Sequence, residues 1–254
     1  MKRVVLLFIT LFYLMVCTTV PHAVATPDDD PSVSVIAFPI PLMVESTDSG
    51  LFIELTRRIA AREKLSLTVD ITNTPRAVQR FATGQYDVIV PGVENMFNDD
   101  GDVLEGVEAF YFKRDVVFTL KHTPLYRSID ALNGLRVGLT KGYPYALALL
   151  NDPGINTVFV DSDEQNAQLL IANRIDAFVA EQHSGVQAFK HIGQYDQVHY
   201  ARDAWISELR VFYAFRNTPR GQWLESRFSH AIQQMRDSGE LDSLFADMFR
   251  SHQN

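Results

Sequence analysis

Carboxylates are the residues of this chain best placed to do chemistry, and one of them ends an apolar run. In "RIDAFVAEQ" (174–182), Asp176 opens a stretch of buried-strand character and Glu181 closes it. A carboxylate aimed out of the carboxyl end of a buried parallel strand lies where a ligand would sit. The same residue also reads as a solvated charge or a helix cap. Other chemistries lack their motifs. Seven histidines are scattered with no HExxH, and no CxxC occurs, so zinc has no support. There is no GxSxG elbow and no P-loop. "NDDGD" (98–102) has its glycine at the wrong offset for a calcium loop and reads as a solvated acidic turn. No cofactor is expected.

The elements that would position Glu181 follow from hydrophobic periodicity. "SVSVIAFPI" (32–40) alternates as a first strand. "LFIELTRRIAARE" puts Phe52, Leu55, Ile59 and Ala60 on one helical stripe. "LSLTVDI" is a strand, "TPRAVQRFATG" a helix opened by Pro75 and closed by Gly84, and "YDVIVPG" a strand. After a polar loop at 94–106, "VVFTLK" (116–121) is a strand. The pattern then restarts with "LRVGLT" as strand, "YPYALALL" as helix, "INTVFV" as strand, "SDEQNAQLLIAN" as helix and "IDAFVA" as strand. "ELRVFYAFRN" (208–217) and two amphipathic helices end the chain. Two β-α-β-α-β units predict an α/β protein with a cleft between two lobes. Ligands of such sheets sit outside the carboxyl ends of the strands, where Glu181 falls.

Lys2 and Arg3, the apolar "VVLLFITLFYLMV" and "AVA" at 23–25 form a secretory leader, with cleavage expected after Ala25. Cys17, the sole cysteine, lies within it, and bulky Val16 precedes it where an acylation signal needs a small residue. The leader carries two basic and no acidic residues, so removing it takes the formal charge from −8 to −10. That balance opposes nucleic-acid binding and docking on an anionic membrane. The expected product is periplasmic, free of disulfides and monomeric.

Several segments resemble the extracellular solute-binding proteins of family 3, the periplasmic receptors of polar amino-acid ABC importers. "LNGLRVGLTKGYPYALALL" is similar to the opening of that family's second lobe, and "LLIANRIDAFVAEQ" to its L-x-x-G-[RK]-[IV]-D-A-x-x-x-D segment. "FSHAIQQMRDSGELDSLFADMF" is similar to its closing helices, and "GLFIELTRRIA" to its first-helix signature. The resemblance implies a type II periplasmic-binding fold. Lobe 1 would be 32–118 plus 210–254, lobe 2 would be 119–209, and the lobes would close by hinge motion. It places Glu181 where the family's Asp takes a ligand ammonium, and Asp176 in a structural Asp-Ala pair. Thr140, Gly142 and Tyr143 fall at the second-lobe turn as further contacts. Phe38, Phe110 and Tyr111 are candidates for the cleft lining.

The departures concern the carboxylate clamp. The family's S-x-[ST]-x-x-R after the third strand is replaced by "GVENMFNDDGD", which has no arginine and puts Glu94 near the serine position. Tyr143 and Pro144 replace a pair of small hydroxyl residues. Arg76 reads equally as a substitute cation and as a surface residue at a helix end. The implied function is a receptor for a small polar, amine-bearing metabolite, its partner a membrane ABC permease or sensor. A cyclohexadienyl-dehydratase-like enzyme and a ligand-presenting sensor subunit are the alternatives.

Overall fold

The computed structural model describes residues 31–94, 96–97 and 101–251. The leader, with Cys17 and the Ala25 cleavage position, lies outside the described residues, as do positions 98–100 of the acidic turn. In chain order the elements are β1 (Ser32–Ala37), α1 (Leu51–Arg62), β2 (Ser66–Ile71), α2 (Thr74–Ala82), β3 (Val88–Val93), β4 (Val103–Glu105) and β5 (Tyr111–Leu120). There follow β6 (Arg136–Thr140), α3 (Leu147–Leu150), β7 (Asn156–Val160), α4 (Asp163–Ile171), β8 (Ala177–Glu181) and α5 (Gln182–His191). β9 (Val198–His199), β10 (Ser207–Arg216), α6 (Pro219–Asp237) and α7 (Glu240–Ser251) complete the chain.

Local chemistry accounts for most boundaries. Asn73 caps α2 by accepting from the Arg76 amide, with Pro75 in the first turn. Ser162 caps α4, and Thr218 caps α6 just before Pro219. Gly50 precedes α1 at φ 111°, and a Cβ there would stand 2.6 Å from the Met43 carbonyl oxygen.

The strands run in the order β2-β1-β3-β10-β5-β8-β6-β7. β2-β1-β3 and β8-β6-β7 are parallel sets, each from one lobe. The long strands β5 and β10 lie antiparallel between them and join the lobes. Each lobe is packed on both sheet faces. In the first, Leu55, Ile59, Phe228 and Met235 cover one face and Phe38, Phe81 and Phe212 the other. In the second, Phe118, Phe178 and Phe189 lie on one side and Leu139, Tyr145 and Leu149 on the other.

Three elements depart from the sequence reading. The expected loop at 94–106 contains β4, which pairs with β10. The helix expected over 143–150 begins only at Leu147: Tyr143 precedes a proline, which disfavours helical backbone, and Tyr145 is buried with its hydroxyl accepting from the Thr140 amide. α5, which the sequence reading omits, starts directly at the end of β8.

Candidate functional site

Antiparallel pairing places Asp115 of β5 directly opposite Glu181 of β8. Like charges in that arrangement repel, so the surrounding groups determine how each is held. Asp115 is fully buried and ion-paired to Lys113 two residues earlier on the same strand face. Its second oxygen accepts from the Ser207 hydroxyl at 2.7 Å. Lys113 also lies 4.7 Å from the centre of the Tyr145 ring.

Glu181 is held differently. Its Oε2 accepts from the Ser184 amide at 2.8 Å, which caps α5, and its Oε1 accepts from the Tyr111 hydroxyl at 2.7 Å. Both partners are neutral. Burial, and then the Glu181 charge, hold the Tyr111 hydroxyl well above the ordinary phenol range, so it stays protonated as the donor. Glu181 is 7% exposed and, among the described residues, has no cationic partner.

Glu181, Tyr111, Lys113 and Ser184 line an interlobe cavity with Tyr143 and Pro144. The facing wall is apolar: Phe38, Ile40, Met43, Phe52, Val93 and Val211. The cavity's empty volume, including space open to solvent, is about 430 Å³. Tyr143 seals one side. Its hydroxyl donates to the Pro39 carbonyl at 2.9 Å and its ring lies 6.3 Å from that of Phe38. Gly142 presses the same turn against α2; at φ 75°, a Cβ there would come within 3.1 Å of Thr74 Cβ. On the far side the His183 ring stacks on Phe249 of α7 at 3.7 Å. The lobes are shut on each other.

Of the sequence candidates, Glu181, Phe38, Tyr111 and Tyr143 come together in this cavity. Arg76, Glu94, Thr140, Gly142 and Phe110 do not line it. Arg76 is exposed, its backbone amide engaged by the Asn73 cap. Glu94 accepts from the Arg210 amide at 3.3 Å, fastening β3 to β10. Thr140 is buried inside the second lobe, donating its hydroxyl to Asp163. Gly142 acts through the interlobe contact. Phe110 is buried against Phe52 and Tyr213 in the first-lobe core. Asp176 clasps Arg136 and its amide at the opposite end of β8. That pairing holds its carboxyl below the usual range.

Sequence reading missed Lys113, Ser184 and Asp163. "FKRDVVF" carried a signal for the first: Lys113 and Asp115 are two apart in a strand and share a face. Asp163 is 1% exposed, and burial pushes it up to about 6. The Thr140 hydroxyl opposes that rise, while the Glu164 charge adds to it.

A cleft between two α/β lobes, joined by two antiparallel crossover strands, defines the type II periplasmic-binding-protein fold. Solved structures bear this out. A mutant of the arginine-binding protein from T. maritima superposes with a TM-score of 0.70 at 17% identity, over 87% of this chain and 96% of that one. The glutamate-bound GluR0 ligand-binding core from Nostoc punctiforme gives 0.70 at 18% identity, covering 85% and 99%. A histidine kinase sensor domain similar to periplasmic binding proteins gives 0.70 at 17%, covering 85% and 95%. No protein-family model and no curated protein sequence matches the chain.

Proposed function

We propose that this protein is an extracytoplasmic receptor that captures a small, amine-bearing, amino-acid-like metabolite between its lobes. The observation that carries the reading is Glu181: a nearly buried carboxylate on the cavity wall whose partners are all neutral donors. An arriving ammonium would supply the missing counter-charge and offset the repulsion from Asp115. Lys113 is the cation nearest the role of the family's absent arginine. It is held by Asp115, so a ligand carboxylate must share it.

Both lobes wall the cavity and Tyr143 bonds across its side, so ligand entry requires opening. The changeover between lobes is best placed at 113–115 on β5 and 207–209 on β10. Val116 and Phe118 already belong to the second-lobe core, while Leu209 packs in the first. On β5 this lies a few residues before the 118/119 boundary expected from sequence. The solved relatives include binding proteins described as parts of amino-acid ABC transporters and a kinase sensor domain. We take a membrane permease or sensor as the partner, with export through the leader.

A thermal-shift panel of amino acids, aliphatic amines, organic acids and short peptides tests the reading. A ligand at about 100 times its Kd should add roughly 2.7 kcal/mol. Shifts confined to amine-bearing compounds support the proposal. Shifts confined to organic acids contradict it.

A further inference from the structure

Strand alternation puts Tyr111, Lys113 and Asp115 on one face of β5, the face that meets Glu181 across the β5–β8 pair. The charges gathered there do not balance. Asp115 and Glu181 stand opposite each other, and among the described residues lining the cavity Lys113 is the cation that offsets them. Arg114, next in the chain, is exposed and ion-paired to Glu208 at 2.6 Å. Asp163, inside the second lobe, feels the Lys113 charge and adds negative rather than positive charge when ionised. Two carboxylates against one ammonium leave the inner site one negative charge in excess. A net monocation cancels that excess, whereas a zwitterionic amino acid leaves it in place.

Lys113 is also poorly placed to hold a ligand carboxylate. It is ion-paired to Asp115, whose other oxygen is fixed by Ser207, and it lies 4.7 Å from the centre of the Tyr145 ring. A ligand carboxylate reaching Lys113 would come up beside Asp115 and Glu181, both of its own sign. The rest of a ligand seated on Glu181 meets apolar surface. The Tyr111 hydroxyl donates to Glu181, and the Tyr111 ring lies 5.8 Å from that of Phe52. Phe38, Met43, Phe52 and Val93 on that wall are each at most 3% exposed. The Tyr143 hydroxyl is engaged by the Pro39 carbonyl. A second polar group laid against these side chains would lose water without gaining a partner.

We propose that the inner cavity selects a primary amine with an apolar body and no free carboxylate, over the zwitterionic amino acid of the same skeleton. The ammonium sits on Glu181 and the body lies against Phe38 and Phe52. This rests on the Glu181 reading above and narrows it to one ligand class.

Calorimetric titration with two matched pairs tests it: 2-phenylethylamine against L-phenylalanine, and 3-methylbutylamine against L-leucine. A polar monoamine, 4-amino-1-butanol, completes the set. At least one amine should bind about tenfold or more tightly than its amino acid, and 3-methylbutylamine should exceed 4-amino-1-butanol by a similar factor. Asp115→Asn removes one negative charge and releases Lys113, so it should shift the preference toward the amino acid by about tenfold. Asp115 is fully buried, so the wild-type comparison decides the matter if that variant folds poorly. Amino acids binding as tightly as their amines, or 4-amino-1-butanol as tightly as 3-methylbutylamine, would overturn the proposal. So would an unchanged preference in folded Asp115→Asn. In each of these cases the receptor reading stands if Glu181→Gln weakens whatever binds. Binding of neither amines nor amino acids would remove both readings together.

Discussion

The two walls of the inner cavity are built from different chemistry. The first lobe contributes a dry face of Phe38, Met43, Phe52 and Val93, whereas the crossover strand and second lobe contribute Tyr111, Lys113, Glu181 and Ser184. Polar groups are therefore concentrated on one side. The first wall supplies shape and excludes water, which strengthens each charge opposite it. Among the described residues Lys113, already paired to Asp115, is the cation lining the cavity.

Changes to either wall should separate these roles. Phe52→Ala removes a ring 5.2 Å from Phe110 and 5.8 Å from Tyr111, and should cost about 3–5 kcal/mol of stability by denaturant unfolding. It should not change which charge type the protein binds; a switch from amines to acids would give the first wall a polar role. Lys113→Met should cost a similar amount, about 3–5 kcal/mol, because it leaves Asp115 buried and uncompensated. A loss below about 1 kcal/mol would show that water reaches the pair.

Asp163 connects the second wall to pH. It faces Thr140 of β6, its neighbour Glu164 on α4, the charge of Lys113 on β5 and the Ser184 hydroxyl of α5. Its folded value of about 6 lies above the ordinary 3.8, so the folded protein holds the proton more tightly than the unfolded chain. The stability this confers is complete below about 3.8 and is lost as pH rises through about 6. It amounts to about 3 kcal/mol. Asp163→Asn should flatten that part of the stability-pH curve. An unchanged slope would place the titration elsewhere.

Glu181→Gln should weaken binding of an amine ligand by about 1.5–3 kcal/mol, the scale of a hydrogen bond to a charged group. Unchanged affinity in calorimetry would remove Glu181 from recognition. The smallest effect belongs to Arg76→Ala. With its side chain exposed and outside the cavity, it should change stability by no more than about 0.5 kcal/mol and leave affinity as it was. A large loss of affinity would bring Arg76 back into the site.

The architecture was legible because parallel strands buried on both faces leave continuous apolar runs, as in "IDAFVA", and helices leave stripes such as Leu224, Phe228 and Met235. Glu181 was legible for the same reason, as a charge where such a run ends. Its role as the cap of α5 is consistent with its position, but the helix itself is hard to see in the sequence because Gly185, Ala188 and Phe189 make only a narrow buried stripe among polar residues. β4 was hidden because a three-residue edge strand carries too short an alternation to register. Arg76 and Glu94 were candidates by charge and position alone. Where a side chain points depends on contacts distant in sequence, such as the β3–β10 junction that engages Glu94. The Asp163–Thr140 contact likewise joins residues whose pairing no local pattern marks.

The central claim is that the lobes open and then close on an amine-bearing ligand. Ser46 and Gln165 are exposed neighbours of Glu45 and Glu164, on opposite sides of the interlobe gap. Spin labels on Ser46→Cys and Gln165→Cys would report that gap by pulsed electron double resonance. The sole native cysteine, Cys17, lies in the leader. The account predicts a broad distance distribution with a long component in the free protein, collapsing to one short distance at saturating ligand. A single distance, unchanged by a ligand shown to bind, would contradict it.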